Sequence, residues 1–469
     1  MDFTKATRLA GTLFLVLGIA SCLTTPQAEN PADPAANWSV SASQYRGPVS
    51  PDGWLKDIPS AELKKLVVEA IKRNHDLKAA AARMRAARAR SVIEGADRFP
   101  QVRGNGDGSR AQTVDQESMR QRANDFGLAL NLSWEIDLWG RLRDLSSAAD
   151  REAVAAEADY RAARLSLAAN TAKAWFNAIE TELQVRLVRE TLTSFKNNQD
   201  IIQRAFDAGI DAPGGDRALD LRLARSDVAT ADNQLALAGR NRDRSARSLE
   251  TLLGRYPANA AQIAKTLPPI KRKVPAGLPS ELLLRRPDLI AAEQRLAARG
   301  LRVSAANKAF LPSFTLTARA GQSSPELSNL LNAERLVANI AAGLAQPITA
   351  GGRLRGNLEL TEAERDETLQ NYAQASLEAF REVETALAAE RYLAAQEAAL
   401  IDAARQSDAA EALATDQYGR GLIEIITVLD SQRRAFNAKS ALIGVRNERL
   451  QNRIDLYLAL GGDFDSEPK

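Results

Sequence analysis

Apolar residues fall at every second position near the first third of the chain. Phe126, Leu128, Leu130, Leu132, Trp134, Ile136 and Leu138 alternate with Gly127, Ala129, Asn131, Ser133, Glu135 and Asp137. A period of two is the strand period. Bulky apolar side chains against small, polar or acidic ones predict a strand with lipid on one face and water on the other. The alternation returns at Phe314, Leu316, Ala318 and Ala320, and again at Ile340, Ala342, Leu344 and Ile348. A fourth, weaker strand is expected over Val102–Thr113, where glycine and polar residues predominate. Strands are therefore predicted at about 100–112, 125–138, 312–321 and 338–348, with polar outer loops at 112–124 and 322–336.

Elsewhere the pattern is helical. Residues 141–208 and 357–418 contain neither glycine nor proline. At 1.5 Å per residue, each run makes a rod on the order of 90–100 Å long. Ala168, Ala172, Trp175, Ile179, Leu183 and Leu187 recur at helical spacing and mark a packing stripe. Charges recur every turn or so, as at Arg186, Arg189 and Glu190 and at Glu378, Arg381 and Glu382, so the rods do not lie in lipid. Shorter return helices are expected at about 216–253 and 428–460.

The chain is also duplicated. RNHDLKAAAAR at residues 73–83 matches RRPDLIAAEQR at 285–295, an offset of 212. The same offset carries Pro100 to Pro312, Leu132 to Leu344, Ile136 to Ile348, GRLR at 140–143 to GRLR at 352–355, Tyr160 to Tyr372, and Gly209 to Gly421. A constant offset across helices, prolines and turns is the mark of one unit used twice. The organisation read from it is a signal segment 1–21, a tether 22–59, a first repeat 60–255, a linker 256–279, a second repeat 280–461 and a tail 462–469. Each repeat reads helix, strand, strand, long helix, helix. Length alone, at 469 residues, suggests about three domains.

Composition narrows the chemistry. With 62 Lys+Arg against 59 Asp+Glu the net charge is +3, so there is no footprint for nucleic acid. The single histidine, His75, and the single cysteine, Cys22, exclude an internal disulfide and a Cys/His zinc site. No cofactor, metal or catalytic residue is expected. An enzyme would have to rely on Glu135 and Asp137, whose spacing puts both on one strand face; a water-lined surface accounts for them more simply.

At the N-terminus, Lys5 and Arg8 precede an apolar stretch from Leu9 to Ala20 that ends in Ile19-Ala20-Ser21-Cys22. The stretch falls short of the ~20 residues that span a bilayer and suits a secretory signal. Its end is similar to the bacterial lipobox, which makes Cys22 the lipid attachment site; an ordinary signal peptide with a chance cysteine is the alternative. Leu23 rather than aspartate follows Cys22, which in lipoproteins of that kind points to the outer membrane.

Alternating strands also suit a half-buried sheet in a soluble protein. The lipid signal and the charged rods favour a membrane barrel. Four strands do not close one, because the smallest have about eight. Two copies would supply eight strands and three would supply twelve.

Five segments carry a family resemblance: SWEIDLWGR (133–141), GLPSELLLRRPDL (277–289), QPITAGGRL (346–354), VLDSQR (428–433) and LYLALGG (456–462). In this order, with the duplication, the mature chain resembles the TolC-like outer membrane factors, in the lipoprotein branch that serves resistance–nodulation–division efflux pumps. The resemblance implies an α+β membrane protein. It would be a homotrimeric 12-stranded β-barrel in the outer membrane, continued by a long 12-helix α-barrel across the periplasm. It also implies a passive duct for small toxic or amphiphilic compounds, fed by an inner-membrane pump through a periplasmic adaptor. In that reading Phe126, Leu128, Leu130, Leu132 and Trp134 face lipid, and Asn131, Glu135 and Asp137 face the lumen. Gly209, Ile210, Tyr418, Gly421 and Leu422 form the adaptor-contacting tip. Ile426, Asp430 and Arg433 form the periplasmic gate, with Arg433 as a latch for a carboxylate. Asp430 has a plainer reading as a charge at the start of the return helix. Two departures stand out: the first tip turn is long, and Gln417 occupies a place where the family often has a basic residue. An exit channel for secreted protein and a periplasmic coiled-coil scaffold are the competing functions.

Overall fold

Long stretches without glycine or proline have nothing to interrupt the i to i−4 hydrogen-bond ladder, and they fold as the longest elements. In the computed structural model, residues 53–114, 120–209, 216–270, 285–332, 334 and 336–462 are described. Cys22 with its signal segment, and Ile210, lie outside the described residues. The elements, in chain order, are α1 (Ala61–Arg73), α2 (His75–Ala96), β1 (Gln101–Val114), β2 (Arg120–Ile136), α3 (Arg141–Asp207), α4 (Arg217–Leu252), α5 (Pro287–Lys308), β3 (Ser313–Ser324), β4 (Val337–Ala345), α6 (Arg353–Gly419) and α7 (Ile425–Ala459). Both α3 and α6 have 67 residues, or about 100 Å of helix each.

The chain divides into two compact units, and neither is a continuous stretch. Three successive domains, as length alone suggests, are not what forms. One unit holds Arg83–Glu157 and Ala291–Gln374, and with them all four strands. The other includes Ala158–Ile290 and Ala375–Lys469 and is helical.

In the helical unit the expected stripe is the core. Ala168, Ala172 and Ile179 are fully buried, Trp175 and Leu187 nearly so, and Leu183 packs against them. Their partners include Leu63 and Val67 of α1, Leu249 of α4, Leu387 of α6 and Ile454 and Leu456 of α7. Alanine at 168, 169, 172 and 178 has no exposed surface, as close approach of helix axes requires. Asn74 joins two helix ends: its Oδ1 accepts from the Leu77 N–H at 3.0 Å and its Nδ2 donates to Leu252 O at 3.0 Å. Beside it Gly254, with φ +68°, ends α4 so near α1 that a Cβ would lie 2.9 Å from Arg73 O. A matching contact recurs in the second half, where Gly461 meets the backbone of Arg285, the residue 212 positions after Arg73.

In the strand unit the four strands form one antiparallel sheet in the order β1-β2-β3-β4. Two boundaries depart from the sequence expectation. The ladder runs on to Val114↔Arg120, so most of the loop expected at 112–124 is strand. Backbone groups make the ladder, and polar side chains such as Gln112 and Arg122 do not stop it. At the other end β4 stops at Ala345, two residues before Pro347, which has no N–H to give. Ile348 therefore lies past the strand.

Candidate functional site: a two-faced sheet and two helical turns

Register assigns faces. Residues directly opposite in antiparallel strands share a side. Leu128 pairs with Gln322, Leu130 with Ala320, Leu132 with Ala318, Trp134 with Leu316 and Ile136 with Phe314. The row continues onto β4, where Ala318 meets Ile340 and Phe314 meets Leu344. On β1 the same face carries Val102, Gly104, Gly106 and Gly108. Phe126, Leu128, Leu130, Leu132 and Trp134 thus share one apolar surface, with Leu128 at 44% and Leu130 at 58% exposure. Gly108 leaves room for the Phe126 ring, which would stand 3.3 Å from any Cβ there. The opposite face carries Asn131 and Glu135 with Arg103, Asn105, Thr315, Thr317 and Arg319. Asn131 Nδ2 donates to Asn105 Oδ1 at 2.9 Å.

Asp137 is not on this face. β2 ends at Ile136, and the Asp137 carboxylate accepts from the backbone N–H groups of Leu142 (3.2 Å) and Arg143 (2.7 Å) at the start of α3. Those amides have no intrahelical partner, so the acid caps the helix. Glu135 instead holds Arg141, with Nη2 at 2.7 and 2.9 Å from its two oxygens. The two carboxylates serve separate local partners and do not converge as an acid–base pair. Nearby, Trp134 Nε1 donates to Arg98 O at 3.0 Å and Trp139 Nε1 to Pro312 O at 2.7 Å. Each indole binds a carbonyl at its polar edge and offers its apolar ring outward.

The helical turns form the second region. Gly209 follows α3 with φ +65°, and its N–H reaches Phe206 O at 3.1 Å. After α6, Gly421 has φ +73°, its N–H bonds Tyr418 O, and Leu422 N–H bonds Gln417 O, both at 2.9 Å. This pair of bonds is the Schellman closure, which requires a left-handed residue at Gly421. Tyr418 packs on a cluster of Ile202, Leu221, Ala224, Ala414, Ile425, Val428 and Leu429, and its hydroxyl accepts from Arg217 Nη1 at 3.4 Å. Leu422, 68% exposed, and Ile426, 48% exposed, project from the same segment.

Asp430 does not open the return helix. α7 begins one turn earlier, at Ile425 with Glu424 as its N-cap residue, because Ile425, Val428 and Leu429 gain burial by being helical. The closer partner of Asp430 is Arg434, whose Nε is 2.7 Å from Oδ2, while Arg433 is 4.0 Å away. Arg433 also acts on Asp227 of α4: burial raises that carboxyl's pKa and the Arg433 charge opposes the rise. Asp220 is likewise raised by burial, against the pull of Arg217. Arg434, Arg217 and Asp227 are not among the residues read from sequence. The i, i+4 spacing of Asp430 and Arg434 is the available signal for the first; the other two depend on how α4 packs.

A sheet with one mainly apolar face, on strands that lead into 67-residue polar helices, defines a membrane channel of the strand-and-rod class. The outer membrane efflux protein family model matches residues 66–255 and 278–462, and the chain belongs to that family. It is 34% identical over 462 residues to the outer membrane protein OprJ of Pseudomonas aeruginosa, covering 97% of this chain and 95% of that one. It is 31% identical over 468 residues to the cation efflux system protein CusC of Escherichia coli, covering 96% and 98%. The solved CmeC outer membrane channel of Campylobacter jejuni superposes with a TM-score of 0.86 at 27% identity, covering 96% of each chain. The protein is an outer membrane channel of a tripartite efflux system.

Proposed function

We propose that three copies of this chain close into a 12-stranded barrel and a 12-helix barrel, forming a passive exit duct for small toxic or amphiphilic compounds. An inner-membrane resistance–nodulation–division pump would deliver them through a periplasmic adaptor. The observation that carries this reading is the sheet. It has four strands, an apolar face from β1 to β4, and outer edges on β1 and β4 that no described strand of the same chain covers. In lipid an open edge leaves backbone groups without partners, and only closure removes it. Copies of the chain provide that closure, with the apolar row outward and the polar row toward the lumen. The duplicated order of elements and the repeated Gly254 and Gly461 contacts support two equivalent halves per chain.

At the tip, the Arg217–Tyr418 contact and the apolar cluster of Leu221, Ala414, Ile425 and Val428 hold the α4, α6 and α7 ends together, and the exposed Asp430–Arg434 pair lies one turn along α7 from Ile426. We assign the gate to this group, with Arg434 joining Arg433 as a partner of Asp430, and adaptor contact to the exposed Leu422 and the glycine turns. No catalytic step is proposed; energy enters at the pump.

Two measurements test the reading. Particle images of detergent-extracted protein should show a threefold tube at least ~100 Å long; a monomer or dimer overturns it. In planar bilayers, Asp430→Ala combined with Arg434→Ala should raise single-channel conductance severalfold. Unchanged conductance removes the gate assignment.

A further inference from the structure

The ladder aligns four polar-face residues in one row across the whole sheet. Arg103 on β1 pairs with Asn131 on β2, Asn131 with Arg319 on β3, and Arg319 with Asn339 on β4. Two arginines therefore share one register level, with their backbone positions about 10 Å apart across two strand spacings. Arg103, Arg319 and Asn339 are exposed. Among the described residues neither arginine has an ion pair or a side-chain hydrogen bond. Asn131 is held by its bond to Asn105. On the two central strands the adjacent levels carry only Ala129 and Gly321 on one side and Ser133 and Thr317 on the other. The arginines consequently reach farther from the sheet than their neighbours along β2 and β3.

Acidic groups on this face are displaced along the strands. Asp107 and Asp125 lie two and three levels toward the loop end, and Glu135 lies two levels toward the helices, where Arg141 holds it. Two levels are about 14 Å, well beyond the Debye length of about 8 Å in physiological salt. The field of the arginine row is therefore not cancelled locally.

We propose that this row is an anion-recognising ring in the pore of the strand barrel, favouring solutes that carry a carboxylate or phosphate group over cations. The proposal rests on the barrel reading above. Threefold closure places three copies of Arg103 and three of Arg319 in the pore with six asparagines, and strand tilt staggers the two arginine triplets along the axis into a short collar. A guanidinium is a permanent cation at physiological pH, so its attraction for the charge of a carboxylate or phosphate does not depend on a titration. A ring of one charge sign in a narrow pore enriches its counter-ions and repels its co-ions. The asparagine amides add uncharged donors between the cations.

The test is ion selectivity of the full-length protein in planar bilayers under a potassium chloride gradient. An Asp430→Ala background keeps the tip carboxylate from setting the preference. Replacing Arg103→Gln and Arg319→Gln together should lower the chloride-to-potassium permeability ratio by roughly threefold. The Arg103→Lys, Arg319→Lys pair keeps the charge and should keep the ratio. Arg319→Gln alone should give an intermediate value, which keeps the test readable if the double variant does not assemble. An unchanged ratio in the glutamine variants overturns the ring and leaves the channel standing. Loss of preference in the lysine pair overturns it too, because shape rather than charge would then be responsible. No channel current from either the Asp430→Ala protein or the combined Asp430→Ala, Arg434→Ala protein, together with no threefold tube in particle images, overturns the barrel reading and the ring with it.

Discussion

Two glycines illustrate how one residue type is worth opposite amounts in this chain. Gly421 sits at φ +73° with no neighbouring atom within 4 Å of where a Cβ would stand, so the objection to a side chain there is conformational rather than steric. Gly421→Ala should destabilise the protein by about 1–2 kcal/mol, and Gly421→Asn by less, because asparagine tolerates the left-handed region. Gly239 lies inside α4, also with open space around it and with ordinary helical backbone. Gly239→Ala should therefore stabilise by about 0.5–1 kcal/mol. Thermal unfolding followed by helical circular dichroism reads both; shifts of the same sign would contradict these opposite roles. Gly421 is identifiable in the sequence, because it ends a long helical run at the second tip turn. That Asp137 caps a helix is not, since one residue decides whether it belongs to the strand or the turn.

At the scale of elements, α6 and α7 are joined by charge as well as by apolar contact. Arg453 Nη2 stands 2.5 Å from Glu390 Oε1, both groups being nearly buried, while Arg446 and Arg449 bind Glu397. These arginines hold the Glu397 carboxyl below its usual range although burial, the largest single influence, pushes it up. Arg453→Met alone should cost about 1–3 kcal/mol, because it removes the nearer partner of the buried Glu390 carboxylate and leaves only Arg449, 3.6 Å away. The double replacement Arg453→Met with Glu390→Leu should recover most of that, since Arg449 keeps Glu397. Denaturant unfolding of the two variants decides it; equal losses would show that packing, not charge, is at stake.

The α4 and α6 ends near the turns behave oppositely in acid. Burial raises the carboxyls of Asp220, Asp227 and Glu411 above ordinary values of 3.8, 3.8 and 4.5. A raised folded pKa means the protonated form suits the folded state better. Its contribution is complete below the ordinary value and is lost as pH rises through the raised one. Amide exchange in these helix ends, corrected for intrinsic rate, should be slower near pH 3.5, below all three ordinary values, than at pH 7. Asp227→Asn with Glu411→Gln should shrink that difference. The sequence could not show it, because burial of these acids depends on which helices meet.

For the whole molecule, the lipid anchor remains a sequence reading on a residue outside the described region. Cys22→Ser should abolish incorporation of labelled palmitate; labelling that persists would refute the lipobox. Strands, rods and the two-fold repeat were legible because each is a periodicity: two for strands, 3.6 for helices, 212 for the duplication. Local backbone geometry imposes the first two whatever the rest of the chain does. Registers and partners are different in kind. That Arg103, Asn131, Arg319 and Asn339 occupy one level depends on how β1, β2, β3 and β4 slide past one another. That Arg217 reaches the Tyr418 hydroxyl depends on how α4 packs against α6. The sequence by itself determined which faces are apolar and how long the rods are, since those follow from residue type and spacing. Tertiary structure alone decided which charges on different strands and helices stand side by side, since strand pairing and helix packing join residues far apart in the chain.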